Sequence, residues 1–408
     1  SPPKNTSLSR LLFFRWLICP YLFEGLGGII VGSTTGVPLF LQKTEAYAAT
    51  RSIELIFSEA IVEMIDFEEV YHWVFREPTI GHKFPGPVIF AESGDLITIK
   101  LVNELDEPHA FTIEAKLNPF TGRLTKVVNI PPIMPGSSRT IRFFAPAPGT
   151  YIYYDPLNEP VNRLLGLHGT MVVFPKIGNT PYSLPPANIQ RLFNDFGRTA
   201  HFPGNRWNRQ RTWIWHFHTI DPTWNREAEL GRSINPQDLI NNYVPRYFTI
   251  NGKSGFFAAH DPDTSPFGKI GEPALIKTVN TGNFIFSPHV HGNHFYVLYE
   301  NSIKQKNVVF LDTYTLKPMD RKDILIPFIR PPDIPDGAWP PIEELTQVLG
   351  GVSQSPLQYP MHCHNEPSQT SAGGNYPSGV ALHWKITGDL TMGLDFSSHL
   401  SSSFKKNN

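Results

Sequence analysis

This 408-residue sequence predicts an all-β protein made of two Greek-key β-sandwiches, on three observations. Charged residues are only 17% of the chain, whereas Pro (39), Gly (31) and Phe (29) are plentiful, a profile of turn-rich sheet with aromatic cores. Short runs rich in β-branched and aromatic residues alternate with turns that carry Pro and Gly. The order of signals also repeats: Lys100-Leu101-Val102-Asn103 is echoed by Lys277-Thr278-Val279-Asn280, and Pro108-His109 by Pro288-His289.

The first unit spans residues 51–175. Strands are predicted at 53–57, 96–101, 139–143, 150–154 and 169–174. Between them fall the breakers Phe84-Pro85-Gly86-Pro87, Met134-Pro135-Gly136 and Ala147-Pro148-Gly149, a spacing that predicts an antiparallel sandwich. Residues 176–211, rich in Pro, Asn and Arg, read as a linker. The second unit spans 212–395, with strands at 212–218, 247–250, 274–279, 295–298 and 383–386; the Ser- and Lys-rich tail covers 396–408.

Residues 1–50 read as a leader. Lys4, Arg10 and Arg15 precede an apolar stretch, residues 25–41 carry no charge, and Ala46-Tyr47-Ala48 has the small-x-small pattern of a cleavage site. A cleaved export signal and a retained membrane anchor are the two main readings, and an ordinary buried segment is the third. Either of the first two puts the body outside the cytoplasm, periplasmic or secreted. A net charge of −1 gives no basis for a nucleic-acid partner.

The chemistry concentrates in two places, His289-Val290-His291 and His362-Cys363-His364. On a strand, residues i and i+2 share a face, so each histidine pair faces one way and Cys363 the other. Imidazole and thiolate are the donors copper prefers over carboxylate. Of the two cysteines, Cys19 lies in the leader, and Cys363, between two histidines, reads as a metal ligand. His216 and His218 form a further His-x-His unit without a matching partner motif and read as structural. No nucleophile triad or phosphate loop is evident.

At these residues the chain resembles the multicopper oxidases, in particular a bacterial, extracytoplasmic branch. Residues 287–295, Ser-Pro-His-Val-His-Gly-Asn-His-Phe, are similar to the family's third copper motif, and 359–364, Tyr-Pro-Met-His-Cys-His, to its fourth. The strand-and-turn pattern from Phe84 to Phe174 resembles the family's first domain, and the segment after Cys363 that holds Ser368-Gln369-Thr370 and the Gly-Gly-Asn-Tyr-Pro step resembles the bacterial branch. The resemblance implies cupredoxin-like domains, copper as cofactor, and dioxygen and a reducing substrate as partners. It also implies that His289, His291, His362 and His364 are cluster ligands, with Cys363 the type 1 thiolate and electron relay.

The sequence departs from that pattern at named positions. The first ligand unit reads His109-Ala110-Phe111, which leaves His109 alone, and the second falls at Tyr153-Tyr154-Asp155, where Asp155 offers only oxygen. Phe286 stands at the first type 1 histidine position and Asn375 at the second. His294, His168 and His383 are candidates to restore the missing ligands. A homo-oligomer that shares ligands between subunits is another route. The expected function is a copper oxidoreductase that reduces dioxygen; the alternatives are a copper-sequestering protein without turnover and a metal-free relic.

Overall fold

The computed structural model describes residues 50–117, 124–196, 209–269, 271–329 and 357–386. Strands β1 (Thr50–Glu63), β2 (Glu69–Arg76), β3 (Ile89–Glu92), β4 (Leu96–Asn103), β5 (His109–Leu117), β6 (Leu124–Ile133), β7 (Ser138–Phe144), β8 (Gly149–Tyr154) and β9 (His168–Phe174) build the first half. The second half contains β10 (Thr212–Ile220), β11 (Tyr247–Ile250), β12 (Phe267–Gly268), β13 (Ala274–Asn280), β14 (Pro288–Val290), β15 (Phe295–Glu300), β16 (Ile303–Leu311), β17 (Arg321–Ile326), β18 (Leu357–Cys363) and β19 (Ala381–Ile386). Every segment read from the sequence as a strand lies within one of these.

Four sheets result. β2-β1-β4-β7 faces β3-β9-β8-β5-β6 to form sandwich 1, and β11-β10-β13-β17-β15-β16 faces β12-β19-β18-β14 to form sandwich 2. Period-two burial explains the facing: Ile97, Ile99, Leu101 and Asn103 on β4 are buried, and the residues between them are not. Ile53, Leu55 and Phe57 meet Phe111, Ile113 and Met171 in the first core, where each large apolar side chain contributes about 1.5–3 kcal/mol. The second core centres on Trp215, Phe217, Phe286, Met361 and Trp384.

The pairing is not wholly antiparallel. β1 runs parallel to β4, β3 to β9, β10 to β13 and β12 to β19, because these neighbours are not consecutive and their connections cross the sandwich. The sequence repeat has a structural counterpart in two asparagines. Asn103 Nδ2 donates to Glu107 O (2.7 Å) and Ile133 O (2.9 Å) while its Oδ1 accepts from Leu105 N. Asn280 does the same with Phe284 O (2.8 Å), Leu316 O (3.1 Å) and Gly282 N. Each ties the loop after a parallel strand to a distant segment, the end of β6 for Asn103 and the β16–β17 connection for Asn280, so the duplicated Val-Asn step is a duplicated joint.

The segment read as a linker contains a helix, Ala187–Phe196, whose Ile189, Leu192, Phe193 and Phe196 are buried with Leu275, Leu298 and Leu325 of sandwich 2. The leader, apart from Thr50, lies outside the described residues, as do Cys19, residues 387–395 and the tail. Among the described residues no helix is long and apolar enough to cross a membrane.

Candidate metal centre

β14 and β18 pair antiparallel with Pro288 opposite Cys363, His289 opposite His362 and Val290 opposite Met361. Facing residues in such a pair share a side of the sheet, so alternation sorts the segment into two faces. His289, His291, His362 and His364 stand on the outer face. Pro288, Val290, Met361 and Cys363 are buried on the inner one. Backbone bonds continue the register past the strand ends, with His291 N donating to Pro360 O (3.0 Å) and His364 N to Ser287 O (2.8 Å).

The outer face gathers donors. His289, His362 and His364 each offer a ring nitrogen, and these atoms all lie within 4.8 Å of one another. His291 Nε2 lies 3.0 Å from His362 Nε2. His289 Nδ1 donates to Thr313 Oγ1 (2.8 Å) and Asp312 O (3.1 Å), with the Asp312 carboxylate at 3.6 Å. That bond fixes the tautomer and leaves the Nε2 lone pair free, the arrangement by which an outer partner orients a metal-binding imidazole. Burial, seconded by the neighbouring His291, lowers the pKa of His289; burial lowers that of His362. Both rings are therefore neutral, with lone pairs available, at pH 7. A set of neutral imidazoles without carboxylate suits copper, zinc, iron or nickel rather than magnesium or calcium.

Several predicted ligands stand elsewhere. Cys363, expected as the type 1 thiolate and relay, is fully buried among apolar residues, and its Sγ accepts the Ser287 N–H at 2.9 Å. Burial raises its pKa, against hydrogen bonds that lower it. Phe286, also fully buried, fills that core where a type 1 histidine was sought.

His109 and Asp155 bind each other. His109 Nδ1 donates to Asp155 Oδ2 (2.7 Å), Asn162 Nδ2 donates to the same oxygen (2.8 Å), and Oδ1 accepts from Ala110 N (3.1 Å) and Leu157 N (2.9 Å). The carboxylate's acceptor sites are thus taken up by four donors, and His109 is fully buried between Phe57 and Trp73. His294 is exposed beside Phe310, and His383 is near His260. His168 belongs to a buried group with His216, His218 and Thr281 between the sandwiches. Among the described residues, the His289–His362–His364 group is the one set of three or more metal donors within that reach. Sequence reasoning missed Thr313 and Asp312, which carry no motif and reach His289 only through an isolated bridge between strands.

Residues 75–177 match the multicopper oxidase family model. Over this stretch the chain is similar to the multicopper oxidases. An L-ascorbate oxidase of Cucumis sativus is 28% identical over 181 residues, 43% of this chain and 26% of that protein. A copper-containing nitrite reductase of Pseudomonas chlororaphis is 23% identical over 222 residues, 53% of this chain and 54% of that protein. The chain therefore spans about half or less of the length of these two relatives. Among solved structures, the blue copper oxidase from Nitrosomonas europaea superposes with a TM-score of 0.58 at 19% identity, over 83% of this chain and 86% of that one. That likeness establishes the fold of this chain as cupredoxin-like. The family match runs from the end of β2 through β9 of sandwich 1, whereas the histidine face belongs to sandwich 2.

Proposed function

We propose that this chain is a copper-dependent oxidoreductase of multicopper-oxidase type. Copper is held by His289, His362 and His364 with His291 alongside; dioxygen is the electron acceptor and a small reducing substrate the donor. The observation that carries the reading is the convergence of three imidazoles, one of them already locked in a metal-ready tautomer. Copper at this face would supply one-electron redox chemistry.

The chain's own residues do three things there. Thr313 and the Asp312 carbonyl hold the His289 ring. His291 and His362 hold one proton between their facing nitrogens when no metal separates them. The exposure of His291 and His364 leaves the face open to small molecules or to a second copy of the chain. The relatives named for ascorbate oxidation and nitrite reduction support redox use of such a scaffold. The charged-then-apolar leader supports action outside the cytoplasm.

One observation favours a second reading, copper binding without turnover: among the described residues no imidazole is seen against Cys363, so the internal relay of the family pattern is incomplete. The test is copper per chain after loading and dialysis, together with oxygen uptake in the presence of a reductant. Wild type is expected to retain copper and consume oxygen, and His362→Ala/His364→Ala to lose both. Copper without oxygen uptake leaves the carrier reading, and no retained copper removes both.

A further inference from the structure

Besides His109, four histidines are buried away from the metal face: His72 on β2, His168 on β9, and His216 and His218 on β10. They lie where the two sandwiches meet, around the Thr281 hydroxyl that follows β13. Thr281 Oγ1 is 2.7 Å from His216 Nε2, 2.9 Å from His218 Nδ1 and 3.2 Å from His168 Nδ1. The rings of His168 and His218 have centroids 4.2 Å apart, and Phe84 packs on His72, His168 and His218.

The protons of this group can be counted. His218 Nε2 faces the Leu164 carbonyl (3.3 Å) and must carry hydrogen, so in the neutral ring His218 Nδ1 accepts the Thr281 O–H. His216 Nε2 then donates to the Thr281 oxygen, and His216 Nδ1 accepts from Thr170 Oγ1 (3.0 Å). Each of these bonds joins a residue of one sandwich to a residue of the other, except those within sandwich 2 that set Thr281 in place. The count closes with neutral rings, while a second hydrogen on His218 would turn the Thr281 hydroxyl to the longer Phe217 carbonyl contact (3.5 Å).

Two places remain for a further proton. His72 Nδ1 donates to Val70 O (2.9 Å), and its Nε2 is buried with no partner. The two nitrogens of His168 lie at 3.2 and 3.4 Å from Thr281 Oγ1, so the oxygen stands beside or above the ring and neither nitrogen points at it. A proton added at either place meets no acceptor. The charges acting on His168 and His218 are those of Arg163 and of the other imidazoles, all opposed to another cation. Arg163 donates to the Thr281 and Gly282 carbonyls, and its own partner Glu159 is engaged with it.

We propose that this histidine group is an acid-sensitive latch: neutral rings hold sandwich 1 to sandwich 2, and proton uptake by the group opens the seam. Burial holds all four rings below the usual imidazole range, His72 at about 4 and His216 at about 3. A base depressed in the folded state gives up no stability above its unfolded pKa and loses it as pH falls from that value toward the folded one. The window therefore runs from about pH 6.5 downward, and at pH 5 His72 and His216 each lower the folding equilibrium constant on the order of 30-fold. Opening would be felt at the metal face, because the chain passes from Thr281 directly to the strand that bears His289.

The test uses the full chain without added metal. Thermal stability and the radius of gyration are followed from pH 8 to pH 4 for wild type and for His168→Asn, which keeps a polar side chain but cannot take the proton. Wild type is expected to lose stability and expand below about pH 6.5, and the variant to show a shallower fall. Equal slopes, or a wild-type radius unchanged down to pH 4, overturn the latch. If the variant does not fold, histidine NMR of wild type decides: all four buried rings must stay neutral at pH 6 in the folded protein, and a normal titration near 6.5 by any of them overturns it.

Discussion

The Nε2 atoms of His291 and His362 face each other at 3.0 Å across the end of the β14–β18 pair. A neutral imidazole has one N–H and one lone pair, so one of these two rings donates and the other accepts. His362 belongs to the convergent three-donor set and His291 is its neighbour. Removing the two should therefore have unequal effects. His362→Ala should weaken copper binding by more than about 100-fold, beyond the loss typical of an outer partner. His291→Ala should weaken it less than about 10-fold, well short of that. Chelator-competition titrations check this, and equal losses would mean that His291 is a ligand of the same rank.

Thr313 acts on the site through His289. Thr313→Val removes the 2.8 Å acceptor and leaves only the longer Asp312 carbonyl, so the ring loses part of what fixes its tautomer. Copper affinity should fall about 10-fold, at the low end for such partners, with the melting temperature little changed. An unchanged affinity would show that the Asp312 carbonyl alone orients the ring.

Cys363 keeps the position that strand alternation gives it. Its sulfur lies on the core side of the sheet, away from the four histidines that flank and face it. Cys363→Ser should leave copper per chain unchanged and lower stability by about 1–3 kcal/mol, because a hydroxyl replaces a sulfur in apolar surroundings. Neither protein should show the strong colour of a copper–thiolate bond. Loss of copper, or a blue wild type, would return Cys363 to the ligand set.

These residues mark what a single sequence discloses. The period of two put His289 and His291 on one face, His362 and His364 on one face, and Cys363 opposite, because side-chain direction on a strand is local information. Register is not local: that His289 falls opposite His362, and so makes one site of two motifs, is visible only in the strand pairing. Asp155 looked like a spare oxygen ligand because its saturation by Asn162, Ala110, Leu157 and His109 comes from tertiary contacts. His168 looked like a stray imidazole for the same reason. Its partners are on the other sandwich, more than forty positions away in sequence.

A second joint between the sandwiches depends on Asp323. Its carboxylate is fully buried and accepts from Thr150 Oγ1 of β8 (2.5 Å), Tyr182 OH of the connector (2.7 Å) and Lys277 Nζ of β13 (2.6 Å). Burial lowers the Lys277 pKa while Asp323 works against that shift, so the ammonium depends on the carboxylate to remain charged. Asp323→Leu strands that ammonium among apolar side chains and should cost about 3–5 kcal/mol. Adding Lys277→Met removes the stranded charge, and the double variant should recover part of the loss, since an apolar pair of similar volume often replaces a buried ion pair at little net cost. Urea denaturation of the two variants decides the point. A double variant less stable than Asp323→Leu alone would mean that Lys277 stabilises the fold by contacts that do not involve Asp323.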